Sequence, residues 1–254
     1  MKAASQLRAL VAVLLVAAAG SAFTQDSGPR VVASTSWTAA FARAAGASSV
    51  TVIAPFELRH PPEYEIKPSD LLAVSGAALV VHSGYERFAT RLAETADAAG
   101  VGLHQVWTDN VPATFVAEAR KLAGALGTVP AFEAWEPGFL AMSEAMRDRV
   151  RAAWPDRRAA VHRYLAEYAK WLGFEVVAVF GPGEPSPALL LELARAKPAL
   201  IIDNVHNPSG EAASLALEAP RVVLRNFPAP GSDGSIESVF AANEAAFLAA
   251  AAGR

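Results

Sequence analysis

Short runs rich in β-branched residues alternate with Ala-rich amphipathic stretches along this chain, and that alternation limits the possible folds more than any other feature. In the first half the runs are 30–33, 50–53 and 78–81, and each is followed by a helix-like segment. In the second half they are 159–161, 175–179, 199–202 and 221–224. Strands that alternate with helices form mainly parallel sheets. Two separate sets of strands predict two sheets.

The stretch 112–154 between the two sets has no strand pattern. Its apolar residues recur at helical spacing, first Phe115, Ala119, Leu122 and Leu126, then Phe139, Met142, Met146 and Val150. We therefore predict an α/β protein with an N-terminal lobe at 23–111, a helical connector at 112–154 and a C-terminal lobe at 155–254. Because ligands bind beyond the carboxyl ends of parallel strands, the binding cleft is expected between the lobes.

The N-terminus has the pattern of a secretory signal peptide. Lys2 and Arg8 give a positive start, residues 10–19 form an apolar run, and small residues follow at 20–22. The apolar run is about half of the roughly 20 residues that a membrane span needs, although an uncleaved anchor is the alternative. There is no cysteine for a disulfide or a lipid anchor. A signal peptide at 1–22 and a periplasmic protein that is not a lipoprotein are the predictions.

Charge and motifs exclude two classes of function. The formal net charge is −3 and no Lys/Arg stripe is present, so the chain offers no basic field for a nucleic-acid backbone. Neither a His-Glu-x-x-His motif nor a Gly-x-Ser-x-Gly elbow occurs, which argues against a metal-dependent or serine hydrolase. We expect a monomeric binding protein without enzymatic activity.

Four of the five histidines fall at or just past predicted strand ends: His60, His82, His162 and His206. Neutral imidazole is the commonest transition-metal ligand, and several imidazoles that converge from separate loops suit zinc. The sequence therefore predicts a metal site built from these four side chains. The alternative is that each is an ordinary hydrogen-bonded histidine, which is the interpretation favoured for His104 inside the strand pattern at 101–107.

Acidic residues are candidates to complete the ligand set. A histidine-dominated site favours zinc, whereas two carboxylates would favour manganese. Asp70, with Ser69 before an apolar run, is expected to cap a helix instead, and most of the other acids are expected to be solvated. The acids considered are Glu63, Glu65, Asp70, Asp203 and Glu237.

Two segments resemble the zinc and manganese substrate-binding proteins of bacterial ABC importers, the cluster A-I or ZnuA/TroA-like family. The segment 60–70, His-Pro-Pro-Glu-Tyr-Glu-Ile-Lys-Pro-Ser-Asp, resembles the family's first metal-ligand loop. The segment 161–177, with His162 at the ligand position, resembles the third. The resemblance implies a two-lobed metal carrier that moves through small angles and delivers its ion to a permease in the inner membrane.

The chain departs from the family pattern at three ligand positions. Pro62 stands where the first histidine is usual, with His60 two residues before it, and Gln105 stands where the second is usual, beside His104. Arg225-Asn226 occupies the place of the final aspartate. Within the resemblance, His82 or His206 is expected to compensate, and His206 is favoured.

Other cargoes and roles stay open. The same fold can hold an iron chelate or a corrinoid, for which Tyr85, Arg87, Trp107 and Arg225 would supply aromatic and cationic contacts. A metal chaperone or an adhesin built on this fold is a further alternative.

Overall fold

The computed structural model describes residues 28–55, 57–58 and 60–253, so the predicted signal peptide at 1–22 lies outside the described residues. The strands within these ranges are β1 (Arg30–Ala33), β2 (Ser49–Val52), β3 (Leu79–His82), β4 (Gly102–Gln105), β5 (Arg158–His162), β6 (Glu175–Phe180), β7 (Leu200–Asn204) and β8 (Arg221–Leu224). The α-helices are α1 (Ser36–Ala44), α2 (Pro68–Ser75), α3 (Ala89–Ala98), α4 (Pro112–Leu126), α5 (Val129–Ala153), α6 (Ala166–Trp171), α7 (Pro187–Ala196), α8 (Glu211–Leu217) and α9 (Ile236–Ala252).

The strands form two separate four-stranded sheets in which every neighbouring pair is parallel. The order is β2-β1-β3-β4 in the first sheet and β6-β5-β7-β8 in the second. The predicted fold class, two α/β lobes with mainly parallel sheets, is confirmed. Both sheets have the same strand order. Because neighbouring strands are parallel, each sheet brings the carboxyl ends of its strands to one edge.

Alternate residues of the central strands face different cores. Val31 and Val81 belong to a core cluster shared by both lobes, whereas Val32 and Val80 belong to a second cluster under α2 and α3. In the other lobe, Val161 faces the shared cluster and Ala160 the cluster under α7 and α8. Successive side chains of a strand point to opposite faces, so both faces of each sheet are covered by helices.

The shared core is continuous from one lobe to the other through aromatic rings. Phe41 of α1 stacks on Phe115 of α4 with 4.0 Å between ring centroids, and Phe115 lies 5.6 Å from Phe139 of α5. Phe139 meets the edge of Phe240 of α9 at 5.4 Å. The helices α4 and α5 thus pack between the lobes as part of one hydrophobic core.

Further contacts join the lobes beside this core. The Ser36 hydroxyl donates to the Pro228 carbonyl at 3.3 Å, and Arg43 donates to the Gly234 carbonyl at 3.3 Å. Both ends of α1 are therefore held to the segment 225–235, and any motion of one lobe against the other is expected to be small. None of the helices in the described ranges is long and apolar enough to cross a membrane.

Replacing Phe139 by Ala is expected to lower the free energy of unfolding by about 3–5 kcal/mol, because it opens a cavity in the core that both lobes share. Leu191→Ala, at a side chain that is 61% exposed on α7, is the control and should change stability by less than about 0.5 kcal/mol. Urea denaturation followed by circular dichroism measures both. Equal midpoints for the two variants, or separate unfolding of the two lobes, would contradict a common core.

Candidate metal-binding cleft

A cleft of about 660 Å³ lies between the lobes, at the carboxyl ends of both sheets. The N-terminal lobe lines it with the loops after β2, β3 and β4, and the C-terminal lobe with the loops after β5, β7 and β8. This is the place that the strand pattern predicts. Its aromatic lining residues are Trp37, Tyr85, Trp107, Tyr164, Tyr168 and Phe227, and its histidines are His60 and His206.

His60 and His206 reach this cleft from opposite lobes. His60 is exposed and immediately precedes the 3-10 turn Pro61–Glu63, whereas His206 is half-buried, two residues after β7. Burial, the charge of Arg225 and the neighbouring His60 lower the pKa of His206 to about 4. The His206 imidazole is therefore neutral at pH 7, the form in which histidine binds metals.

The His206 ring is held in a fixed orientation. It stacks on Phe227 with 3.7 Å between centroids and an interplanar angle of 15°, while its backbone N–H donates to Asn204 Oδ1 at 2.8 Å. Its Nε2 atom is buried and finds no hydrogen-bond partner within the described part of the chain. A buried nitrogen without a partner is costly, and a ligand in the cleft would remove that cost.

Neutral amides form the floor of the cleft. Trp37 Nε1 donates to Asn110 Oδ1 at 3.0 Å, and Asn110 Nδ2 donates across the lobe boundary to the Asn226 carbonyl at 2.7 Å. Asn204 Nδ2 donates to Asn226 Oδ1 at 2.8 Å. Asn226 thus joins the two lobes, at the position where the family resemblance expects an aspartate.

His162 does not line the cleft. It is fully buried at the end of β5, with its ring 5.1 Å from that of Tyr164 and edge-on to Phe180 at 5.8 Å. Its Nδ1 accepts the Tyr164 backbone N–H at 3.2 Å, so in the neutral ring the hydrogen resides on Nε2. Burial lowers the pKa of His162. In this arrangement neither ring nitrogen offers a free lone pair to a metal.

His82 also lies outside the lining of the cleft. It is buried at the end of β3, where burial lowers its pKa and His104 on the adjacent β4 lowers it further, against the opposing effect of Glu86. His104 is a half-buried strand residue, as its sequence pattern predicts. Across residues 28–55, 57–58 and 60–253, no three His, Asp or Glu side chains come together in a group that could hold a metal.

The geometry of a strand explains why the four predicted ligands do not converge. His82 follows Val81 and His162 follows Val161, both of which face the shared core, so each histidine points to the opposite face of its sheet. His60 and His206 lie in loops beyond the strands and are free of that alternation. The structure therefore brings together two of the four predicted ligands.

Asp203, one of the acids considered, positions the loop that carries His206. Its buried carboxylate accepts the backbone N–H groups of Ser209 and Gly210 and pairs with Arg221 at 2.7 Å. It is thus engaged away from the cleft. Asp70 accepts the Lys67 backbone N–H at 2.7 Å and so caps α2, but from the third position of a helix that begins at Pro68 and not from a position before it as predicted.

Glu63 lines the cleft, whereas Glu65 and Glu237 do not. Two carboxylates that were not among the predicted ligands also line the cleft, those of Asp109 and Glu167. Burial raises the pKa of Asp109, and the hydrogen bond from the Val111 N–H opposes this shift. The charge of Glu167, on the other lobe, raises the pKa of Asp109 by a smaller amount. Asp109 lies in the loop after β4, so a search for acids as well as histidines just past the predicted strand ends would have found it.

Solved structures with this architecture match most of the chain. The substrate-binding protein (SBP) FpvC from Pseudomonas aeruginosa, in complex with Ni²⁺, matches with a TM-score of 0.69 at 18% identity, over 89% of this chain and 97% of FpvC. The laminin-binding protein Lbp of Streptococcus pyogenes gives 0.65 at 18% identity, over 87% and 98% of the two chains. The periplasmic zinc binding protein TroA from Treponema pallidum gives 0.62 at 16%, over 88% and 99%.

The fold is that of the metal-binding substrate-binding proteins. At the level of the fold, these matches confirm the resemblance seen in the sequence. No family model and no curated protein matches the chain. These matches show the fold and do not identify what the cleft of this chain binds.

Asp203→Asn is expected to destabilise the protein by about 3–5 kcal/mol, because Arg221 loses its buried partner and the loop loses an anchor. The exposed pair of Asp156 and Arg158 provides the matched control, since Asp156→Asn should leave the unfolding midpoint unchanged. Chemical denaturation of both variants measures the difference. Similar small effects would show that Asp203 does not anchor the loop.

Proposed function

We propose that this chain is a periplasmic substrate-binding protein that captures a transition-metal ion in the interlobe cleft and delivers it to an ABC-transporter permease in the inner membrane. His60 and His206 are the ligands that the protein supplies. The observation that carries the proposal is their position: two imidazoles from opposite lobes line one cleft, and one of them has a buried nitrogen without a partner among the described residues.

The charge of the cleft favours a cation. Among the described residues, three carboxylates line it, those of Glu63, Asp109 and Glu167, against one guanidinium, that of Arg163. Since His206 is neutral at pH 7, the lining has an excess of negative charge, which attracts metal ions. Imidazole ligation favours zinc, and participation of Asp109 or Glu63 would favour manganese.

The placement of the two ligands links binding to closure. An ion that coordinates His60 and His206 together bridges the lobes, so its binding energy stabilises the arrangement in which they are close. The shared core and the contacts between α1 and 225–235 restrict that closure to a small movement. The remaining coordination positions are left to water or to another small ligand.

Ser209, His162 and Asp203 lie in one region, which raises the alternative of a serine hydrolase, but their contacts argue against it. A Cβ atom at Gly181 would lie 2.5 Å from His162 Nε2 and 2.9 Å from Ser209 Oγ. The Asp203 carboxylate binds Arg221 and loop N–H groups, while His162 Nδ1 accepts from Tyr164. The Asp203 carboxylate therefore does not orient His162 as a general base requires, and Ser209 is buried.

His60→Ala and His206→Ala are each expected to weaken zinc binding at least tenfold, because each removes one of two protein ligands. His104→Ala, which removes an imidazole outside the cleft, is the matched control and should bind like the parent. Isothermal titration calorimetry with the metal-free protein measures the affinities. A parent that binds no transition metal, or equal affinities for all variants, would overturn the proposal.

His82→Ala and His162→Ala test the prediction of a four-histidine site. Both side chains lie outside the lining of the cleft, so zinc affinity should stay within about twofold of the parent where the variants are folded. A tenfold loss in either folded variant would show that its ring turns towards the ion on binding.

Asn226→Asp is expected to tighten zinc binding by about tenfold. The substitution retains the oxygen that accepts from Asn204 and adds a carboxylate, a good zinc ligand, to the cleft floor. Asn207→Asp adds the same charge elsewhere in the lining and separates coordination from a general field effect. Calorimetry should show the larger gain for Asn226→Asp, and equal gains would assign the effect to charge alone.

A further inference from the structure

Given the proposed function, we propose that the cargo is a metal ion already held by a small organic chelator, one that carries a heteroaromatic ring and a carboxylate. His60 and His206 would then occupy the coordination positions that the chelator leaves open.

The size of the cleft is the first reason. Its volume of about 660 Å³ falls within the roughly 300–1,000 Å³ of pockets that enclose small organic molecules. A single ion between two imidazoles would leave most of that space to solvent. A complex of an ion with an organic ligand would fill it.

The number of protein ligands is the second reason. Zinc in proteins usually has four ligands, and no third His, Asp or Glu groups with the two cleft imidazoles among the residues that the structure describes. Two positions therefore stay open for a bidentate chelator. A complex of one zinc ion with one such chelator would bring the number of ligands to four.

Aromatic side chains at the cleft are the third reason. Trp107 is 70% exposed, Tyr164 53% and Tyr85 51%, and both lobes contribute to this group. Large exposed aromatic side chains that lie together mark a binding surface. A bare ion makes no use of ring faces, whereas a heteroaromatic chelator can stack on them.

Arg163 supplies the complement to a carboxylate. It lines the cleft and is exposed, and its guanidinium makes no ion pair or hydrogen bond with any of the described residues. A guanidinium binds carboxylates through paired N–H groups. Arg163 is thus available for an anionic group of the chelator, while the acids of the cleft face the cation.

The test compares zinc alone with zinc presented by two matched chelators. Pyridine-2-carboxylate and glycine each bind through one nitrogen and one carboxylate oxygen, and the former alone has a ring. We expect calorimetry to show at least tenfold tighter binding for the 1:1 zinc complex of pyridine-2-carboxylate than for zinc alone, and a smaller gain for the glycine complex.

Two substitutions test which side chains cause the increase in affinity for the pyridine-2-carboxylate complex. Trp107→Ala should lose at least fivefold of the affinity for the pyridine-2-carboxylate complex while its affinity for zinc alone stays within twofold of the parent. Arg163→Gln should lose a similar factor for the complex without any loss of affinity for zinc alone, because removing a cation from the lining does not weaken the binding of a cation. His206→Ala should weaken both. Retention of the gain in the Trp107 and Arg163 variants would overturn the assigned contacts.

The possible results distinguish the chelator proposal from the proposed metal-binding function. Zinc binding without any gain from pyridine-2-carboxylate would overturn the chelator proposal and leave the metal-binding function intact. Absence of binding by zinc in either form would overturn both. Equal binding of pyridine-2-carboxylate without metal would show that the cleft recognises the organic molecule itself, which also overturns the inference.

Discussion

The rings of Phe41, Phe115, Phe139 and Phe240 hold the two sheets in a fixed relation, and the cleft depends on that relation. Parallel pairing gathers the strand ends of each lobe at one edge, but it does not decide where the edges of two separate sheets lie. The aromatic contacts through α4 and α5 do, because they place both edges around one space. Loops that are distant in sequence, such as those of His60 and His206, then share that space.

The fold was largely predictable because its signals are local. Strand patterns at 30–33 and 221–224 have the bounds of β1 and β8, and helical spacing marks the stretch that contains α4 and α5. Each of these patterns spans only a few residues and reflects burial on both faces of a sheet or on one face of a helix. These local patterns do not give the order of the strands within a sheet, so only the structure shows that both sheets have the same order.

The site was only partly predictable because its geometry changes within one or two residues. His162 ends a strand and His206 lies two residues beyond one. Both follow similar strand patterns in the sequence, so the sequence does not distinguish their environments. The first obeys strand alternation and is buried beside Phe180, whereas the second enters a loop and stacks on Phe227. The Asn110 to Asn226 bond could not be foreseen, since it joins amides 116 residues apart.

The connector also decides whether the halves can exist apart. Each lobe has its own sheet and its own outer cluster, and the repeated strand order gives the appearance of two modules. Yet Phe139 and Met146 of α5 are buried in the hydrophobic cluster that both lobes share. Half of the chain expressed alone would expose these apolar side chains to water and aggregate. The helix α5 is therefore part of the hydrophobic core and not a flexible linker between two independent domains.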